Sequence, residues 1–172
     1  PLIIAGPCSA ESEAQMLETA QRLKESGAEV PVFRAGIWKP RTKPFGFEGV
    51  GVIGLNWLKK VKDEFGFKTA TEVANAHHVY AALEADVDIL WIGARSTVNP
   101  FTVQEIAVAL KGTNKPVLVK NPVNPDLALW IGALERLLGQ DVKNLGAIHR
   151  GFSSYQKTKY RNVPNWQIAL DF

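Results

Sequence analysis

The chain has 172 residues, enough for one domain with a buried core, and its 46% apolar and 22% charged content excludes a disordered segment. With 20 Lys and Arg against 17 Asp and Glu, the net charge of +3 is too small and too evenly spread to define a nucleic-acid binder. A single cysteine, Cys8, excludes an intrachain disulfide framework, and no apolar run approaches the roughly 20 residues of a membrane span.

The opening "PLIIAG" starts directly on strand-like residues at Pro1 and is too short, with no basic leader, for a signal peptide. The expectation is therefore a cytoplasmic protein with no membrane and no nucleic-acid partner. From there short apolar runs alternate with longer amphipathic ones. Strands are predicted at 2–6, 32–36, 67–71, 88–92, 116–120 and 145–149. Between them, segments 12–27, 52–66, 75–85, 99–112 and 124–139 carry apolar residues at helical spacing, and several start at Ser or Asn and stop at Gly. The closing "NWQIALDF" reads as the start of another helix. Near-continuous apolar strands alternating with helices predict an α/β fold with a parallel sheet.

The unit spacing, and the lack of a G-x-G-x-x-G after the first strand, favour a (β/α)8 TIM barrel over a doubly wound sheet. Such a barrel needs eight units and roughly 250 residues. The reading is thus a single partial barrel domain over 1–172, the first six β/α units, with the last two absent. A sheet cut in this way exposes apolar edges and is expected to self-associate.

In a parallel barrel the site lies where strands end and loops begin. Those positions hold Arg34, then Lys39 and Arg41 in "GIWKPRTKPFGFEGVG", Arg95 in "GARST", Lys120, and His149-Arg150. Any one of these cations can simply reach out to solvent from a strand end. Together they precede helix N-termini, where the macrodipole disfavours positive charge, and an anionic ligand with phosphate or carboxylate groups compensates. A phosphorylated substrate is the expectation. Pro40 and Pro44 exclude a helix interior for the 36–51 stretch, and its four glycines (36, 46, 49, 51) mark an ordered, turning loop. Lys43 reads as a surface charge.

Cys8, two residues past the first strand, is read either as a small buried hydrophobe or as a thiolate ligand of a borderline divalent metal. Glu72 is a carboxylate among cations, read as a charge-balancing orienter of Lys or Arg or, as the lesser alternative, an acid/base group. His77 and His78, adjacent on the third helix, face different ways and are not expected to share a metal. Trp57, Trp91 and Trp130 read as core or interface, and Trp38 as packing for its loop or a neighbouring subunit. The run "SSYQKTKYRN" at 153–162 reads as a solvated or substrate-side loop rather than an RNA contact.

The motifs "GPCSAES", "KPRT", "TATE", "GARST", "VLVKNP" and "IHRGFSSY", in this order, make the chain resemble 3-deoxy-D-arabino-heptulosonate-7-phosphate (DAHP) synthase, the first enzyme of the shikimate pathway. It is most similar to the short-barrel subgroup, some members of which are fused to chorismate mutase. The resemblance implies condensation of phosphoenolpyruvate with erythrose 4-phosphate and release of phosphate. It implies that Arg34, Lys39, Arg95, Lys120 and Arg150 hold phosphoenolpyruvate, and that Arg41 and Thr42 hold erythrose 4-phosphate. Lys39 and Arg41 would be the catalytic pair, with Lys39 moving a proton to the new alkoxide. Cys8 would be one ligand of a divalent metal such as Mn²⁺, the other three (a His, a Glu and an Asp) lying beyond residue 172. A homo-oligomer is also expected. Alternatives are the sister 3-deoxy-octulosonate 8-phosphate synthase, which reads Asn-Arg where this chain has Pro40-Arg41, a Schiff-base aldolase using Lys120, and an inactive anion-binding fragment.

Overall fold

The computed structural model describes residues 2–172; Pro1, from which the sequence reading begins its first strand, lies outside them. Each predicted strand is present, and the six strands pair in chain order. They are β1 (Ile4–Ala5), β2 (Val32–Arg34), β3 (Lys68–Val73), β4 (Ile89–Ile92), β5 (Val117–Lys120) and β6 (Leu145–Ile148), interleaved, among the described residues, with helices α1 to α7. The fold class is the predicted α/β type. Among the described residues, no helix is long and apolar enough to cross a membrane. The chain forms two compact units, one reaching Val73 and adding His77–Leu90, the other Ala74–Ala76 with Trp91–Phe172; β4 carries the chain from the first to the second.

In the first unit β1, β2 and β3 are parallel, with Ile4 opposite Val32 and Phe33 opposite Thr69. The first strand is shorter than the predicted 2–6, because Leu2 and Ile3 are exposed and Gly6 turns away at φ 141°. Helix α1 (Glu13–Glu25) starts where Ser12 accepts a hydrogen bond from the Gln15 amide, and buries Met16 and Ala20. Helix α2 (Ile53–Phe65) buries Leu55, Leu58 and Val61, and stops at Gly66 in the left-handed conformation that glycine tolerates best. Helix α3 (Ala76–Glu84) contributes Val79 and Ala82 to the core. Lys62 joins α2 to the turn before β4 through Asp86 and Asp88, while Asp88 also accepts from the Thr69 amide at 2.8 Å.

In the second unit a four-residue helix, α4 (Ala94–Thr97), occupies the "GARST" stretch that the sequence reading leaves as a loop. A single turn is too short to show helical periodicity. Asn99 caps α5 (Pro100–Leu110), accepting from Phe101 and Thr102 amides with Pro100 at the first helical position. Helix α6 (Leu127–Leu138) begins later than the predicted 124, since Asp126 rather than Asn124 supplies the cap. Buried Trp130 of α6 donates its indole N–H to Val119 O at 3.1 Å, fixing the helix on β5. Strands β5 and β6 run parallel, with Lys120 opposite Ile148. Between β6 and α7 (Trp166–Asp171) the chain is irregular apart from an antiparallel bridge of Phe152 to Val163.

Candidate active site

In the first unit the ends of β1 and β2 meet closely. A Cβ on Gly6 would lie 2.2 Å from Arg34 O, so only glycine lets the turn after β1 sit against β2. This contact places Pro7 and Cys8 beside the cations of β2 and its loop. Arg34 donates to Pro7 O at 3.0 Å, and Lys39 Nζ donates to Cys8 O at 2.8 Å and to Cys8 Sγ at 3.4 Å. Burial pushes the Cys8 thiol up, but the positive charge and hydrogen bonding of Lys39, joined by Arg34, outweigh it and hold the thiol below its ordinary value. A thiol whose pKa is lowered in this way suits one ligand of a divalent metal, since the thiolate is the ligating form. Among the described residues, however, no group of three or more His, Cys, Asp or Glu is placed to hold an ion. Cys8 therefore fits as a single donor and does not make a complete site.

The loop after β2 is closed at its base. Lys39 N–H donates to Glu48 O at 2.7 Å, and Gly51 N–H to Ile37 O at 3.0 Å. Gly49 lies at φ +98°, and a Cβ there would meet Ile37 O at 2.0 Å, so no other residue fits this closure. The closure separates the three basic residues of the loop. Lys39 is half-buried against Cys8, whereas Arg41, Thr42 and Lys43 are exposed on the far part of the loop. Arg41 Nε donates to Phe47 O at 2.9 Å, which orients its guanidinium. Trp38, next to Lys39, stacks on His78 of α3 with ring centroids 4.0 Å apart and planes 6° from parallel. Glu72 is buried near the end of β3, beside Thr71, whose hydroxyl donates to Ala35 O at 2.8 Å.

In the second unit Lys120, the last residue of β5, holds its ammonium 5.2 Å from the centre of the Trp91 ring. Arg95 lies exposed on α4. Arg150, just past β6, hydrogen-bonds the side chain of Asn162. Its backbone is held by Asn121, a residue the sequence reading quoted only as part of "VLVKNP". Asn121 is 0% exposed. Its side-chain oxygen accepts from Arg150 N–H at 2.6 Å, and its amide nitrogen donates to Pro122 O at 2.8 Å and Gly151 O at 2.9 Å. His149 contacts the rings of Phe152 and Trp166 and lies within 3.3 Å of the Gly151 and Asn165 amides. A cavity of about 290 Å³ opens here, lined by His149, Arg150, Tyr160 and Asn162 among others. A larger cavity of about 610 Å³ in the first unit, lined by Leu2, Lys24, Glu29 and Phe67 among others, contains none of the candidate site residues.

Parallel strands in chain order, with cations at their C-terminal ends and in the loops that follow, define an enzyme-type α/β fold of the barrel class. Residues 1–167 match the DAHP synthetase I family, and the chain belongs to that family. It is 34% identical over 155 residues to the phospho-2-dehydro-3-deoxyheptonate aldolase of Thermotoga maritima, covering 90% of this chain and 44% of the relative. It is 35% identical over 127 residues to the 2-dehydro-3-deoxyphosphooctonate aldolase of Geobacter sulfurreducens, covering 69% of this chain and 44% of that protein. The crystal structure of the Thermotoga maritima DAHP synthase superposes with a TM-score of 0.82 at 30% identity, covering 99% of this chain and 47% of the other. A truncated form of the synthase from the same organism gives 0.79 at 29% identity, with 58% of that chain covered. The chain thus spans about half the length of the relatives it matches.

Proposed function

We propose that this protein contributes to the condensation of phosphoenolpyruvate with erythrose 4-phosphate, giving DAHP and inorganic phosphate, in the cytoplasm, where Cys8 stays reduced. The observation that carries this reading is the Arg34–Cys8–Lys39 cluster at the ends of β1 and β2, beside the loop that presents Arg41 and Thr42. Arg34, Lys39, Arg95, Lys120 and Arg150 bind the phosphate and carboxylate of phosphoenolpyruvate through charge-assisted hydrogen bonds. Arg41 and Thr42 bind the phosphate and hydroxyls of the sugar. In the reaction C3 of phosphoenolpyruvate bonds to the aldehyde carbon, water adds at C2, and the phosphate leaves by C–O cleavage. Lys39 donates its proton to the oxygen of the former aldehyde as that bond forms. The remaining cations neutralise the charge that gathers on the leaving phosphate. Glu72 balances them. Cys8 supplies one ligand of a divalent metal such as Mn²⁺, which when bound acts as a Lewis acid toward the aldehyde.

The likeness to octulosonate aldolases gives a second reading, in which the acceptor is a pentose phosphate, since an eight-carbon product needs five carbons beyond the three of phosphoenolpyruvate. Pro40 before Arg41 favours the tetrose. The test is phosphate release from phosphoenolpyruvate and Mn²⁺ with erythrose 4-phosphate or a pentose 5-phosphate, run on this chain and on the longest polypeptide that carries it. Release with the tetrose supports the proposal. Release only with the pentose selects the second reading, and release with neither overturns both.

A further inference from the structure

Several hydrogen bonds within the loop after β2 shape it. Lys39 N–H to Glu48 O and Gly51 N–H to Ile37 O close its base, and Arg41 to Phe47 O braces its far part. These bonds set the loop's shape but leave open how it is aimed at the strands below. Its aim is set in part by the Ala10 N–H bond to Gly36 O at 3.0 Å and in part by three side-chain contacts. Ile37 is fully buried against Gly54, Lys39 reaches Cys8, and Trp38 lies flat on His78. The first two contacts act close to the strand. The third comes from a different element, α3, which Val79 and Ala82 anchor in the core.

We infer that His78 is a positioning residue for the substrate loop, acting through Trp38 to fix where Lys39 and Arg41 stand. This deepens the function proposed above and rests on it. The geometry supports the inference in two ways. A centroid distance of 4.0 Å at 6° puts the rings in full face contact, so the indole has one defined seat. Trp38 also precedes Lys39 directly in the chain, so the indole's seat on α3 restrains the backbone next to the Lys39 N–H that donates to Glu48 O at 2.7 Å. Burial, and to a lesser extent the charge of His77, lowers the pKa of His78 and favours the neutral ring, a flat packing partner. His77 itself is exposed on the other side of the helix.

The experiment compares His78→Ala with His78→Phe, which keeps a flat ring. Amide hydrogen exchange gives a readout independent of activity. In His78→Ala, exchange at the Lys39 and Gly51 amides should quicken by about tenfold while the amides of β2 and α1 stay unchanged, and His78→Phe should restore protection. That factor follows from an aromatic contact worth about 1.4 kcal/mol. In turnover, His78→Ala should lower kcat and raise KM for erythrose 4-phosphate by about three- to tenfold, with KM for phosphoenolpyruvate less affected, and His78→Phe should recover most of this. Unchanged loop exchange in His78→Ala, or quickened exchange spread across α1 and β2 that Phe does not rescue, overturns the inference. If the unmodified protein turns over neither acceptor, the proposed reaction fails, and the exchange result still decides whether His78 positions the loop.

Discussion

Replacing Asn121 by Ala removes three hydrogen bonds at one buried point. The Arg150 amide loses its acceptor, and the Pro122 and Gly151 carbonyls lose their donor. A net hydrogen bond contributes about 1 kcal/mol, and a buried partner left unpaired costs about 1–3 kcal/mol, so the loss should be about 3–5 kcal/mol once water partly refills the space. That is a large share of the roughly 5–15 kcal/mol that holds a domain folded. Asn121→Asp sharpens the test. Its carboxylate can still accept from Arg150 N–H, but it sets a charged oxygen against two carbonyl oxygens. That environment raises the carboxyl's folded-state pKa above its unfolded one, so the substitution is tolerated at acid pH and its penalty grows as pH rises from the unfolded-state value to the folded-state value. Urea unfolding followed by tryptophan fluorescence at pH 5 and pH 8 gives both numbers, and calorimetry with phosphoenolpyruvate reports whether the Arg150 segment still binds. The reasoning is refuted if Asn121→Ala costs less than about 1 kcal/mol, the value of a single exposed hydrogen bond. An Asn121→Asp protein equally stable at both pH values would refute it as well.

Further predictions concern the first unit. Burial raises the Asp88 carboxyl, but the Thr69 amide and Lys62 outweigh it and hold it below 3.8; its contribution should be complete above that value and vanish as pH falls through the lower folded-state value. Burial lowers the Lys62 pKa, but Asp86 and Asp88 raise it above 10.5, so its contribution should persist below 10.5 and fade as pH climbs through the folded value. Unfolding of Asp88→Asn should show a deficit of about 2 kcal/mol at pH 7 that closes in acid. Gly49→Ala should cost about 2 kcal/mol or more from its left-handed backbone and the clash with Ile37 O, and should abolish phosphate release. Lys39→Met should raise the thiol pKa of Cys8, seen as an alkylation rate whose midpoint moves to higher pH, and should lower kcat. Arg41→Ala should mainly raise KM for the sugar phosphate; equal effects on both substrates would remove the separation of roles.

The fold was legible because most strands are short apolar runs, β3 with its two threonines and Glu72 excepted, and α1, α2, α5 and α6 each carry a cap. Ser12, Asn99 and Gly66 all act where the sequence reading places them. Apart from α6, which starts later than predicted at its Asp126 cap, the departures are short elements. β1 pairs only at Ile4 and Ala5, and α4 is a single turn. Neither is long enough for periodicity to register. The strand-end cations were equally legible, because the side of a parallel sheet that carries the site is fixed by topology. Their supports were not. Asn121 looks like any polar residue after a strand until Arg150, 29 positions on, bonds to it. Trp38 and His78 belong to separate elements, and nothing local to either announces the other. The lowered thiol pKa of Cys8 likewise depends on Lys39, 31 residues away.

On the proposed reading, the loop after β2 bears directly on which acceptor is taken. Its base commits the Lys39 amide to Glu48 O and the Lys39 ammonium to Cys8, so this end is fixed by the strands and has little freedom to adapt to a longer sugar. Pro40 follows with no N–H to bond and a fixed φ, turning the chain outward. Arg41 and Thr42 then stand exposed, with the Arg41 Nε bonded to Phe47 O of the same loop. On the proposed reading, the end of the acceptor that differs between a tetrose and a pentose phosphate is its phosphate end, farthest from the aldehyde. That end is read by the exposed part of the loop. A change of acceptor in this fold would thus require altering Pro40, Arg41 and Thr42 while leaving Arg34, Cys8 and Lys39 in place. A Pro40→Asn variant that gained pentose phosphate turnover, with its Cys8 thiol pKa unmoved, would match that division.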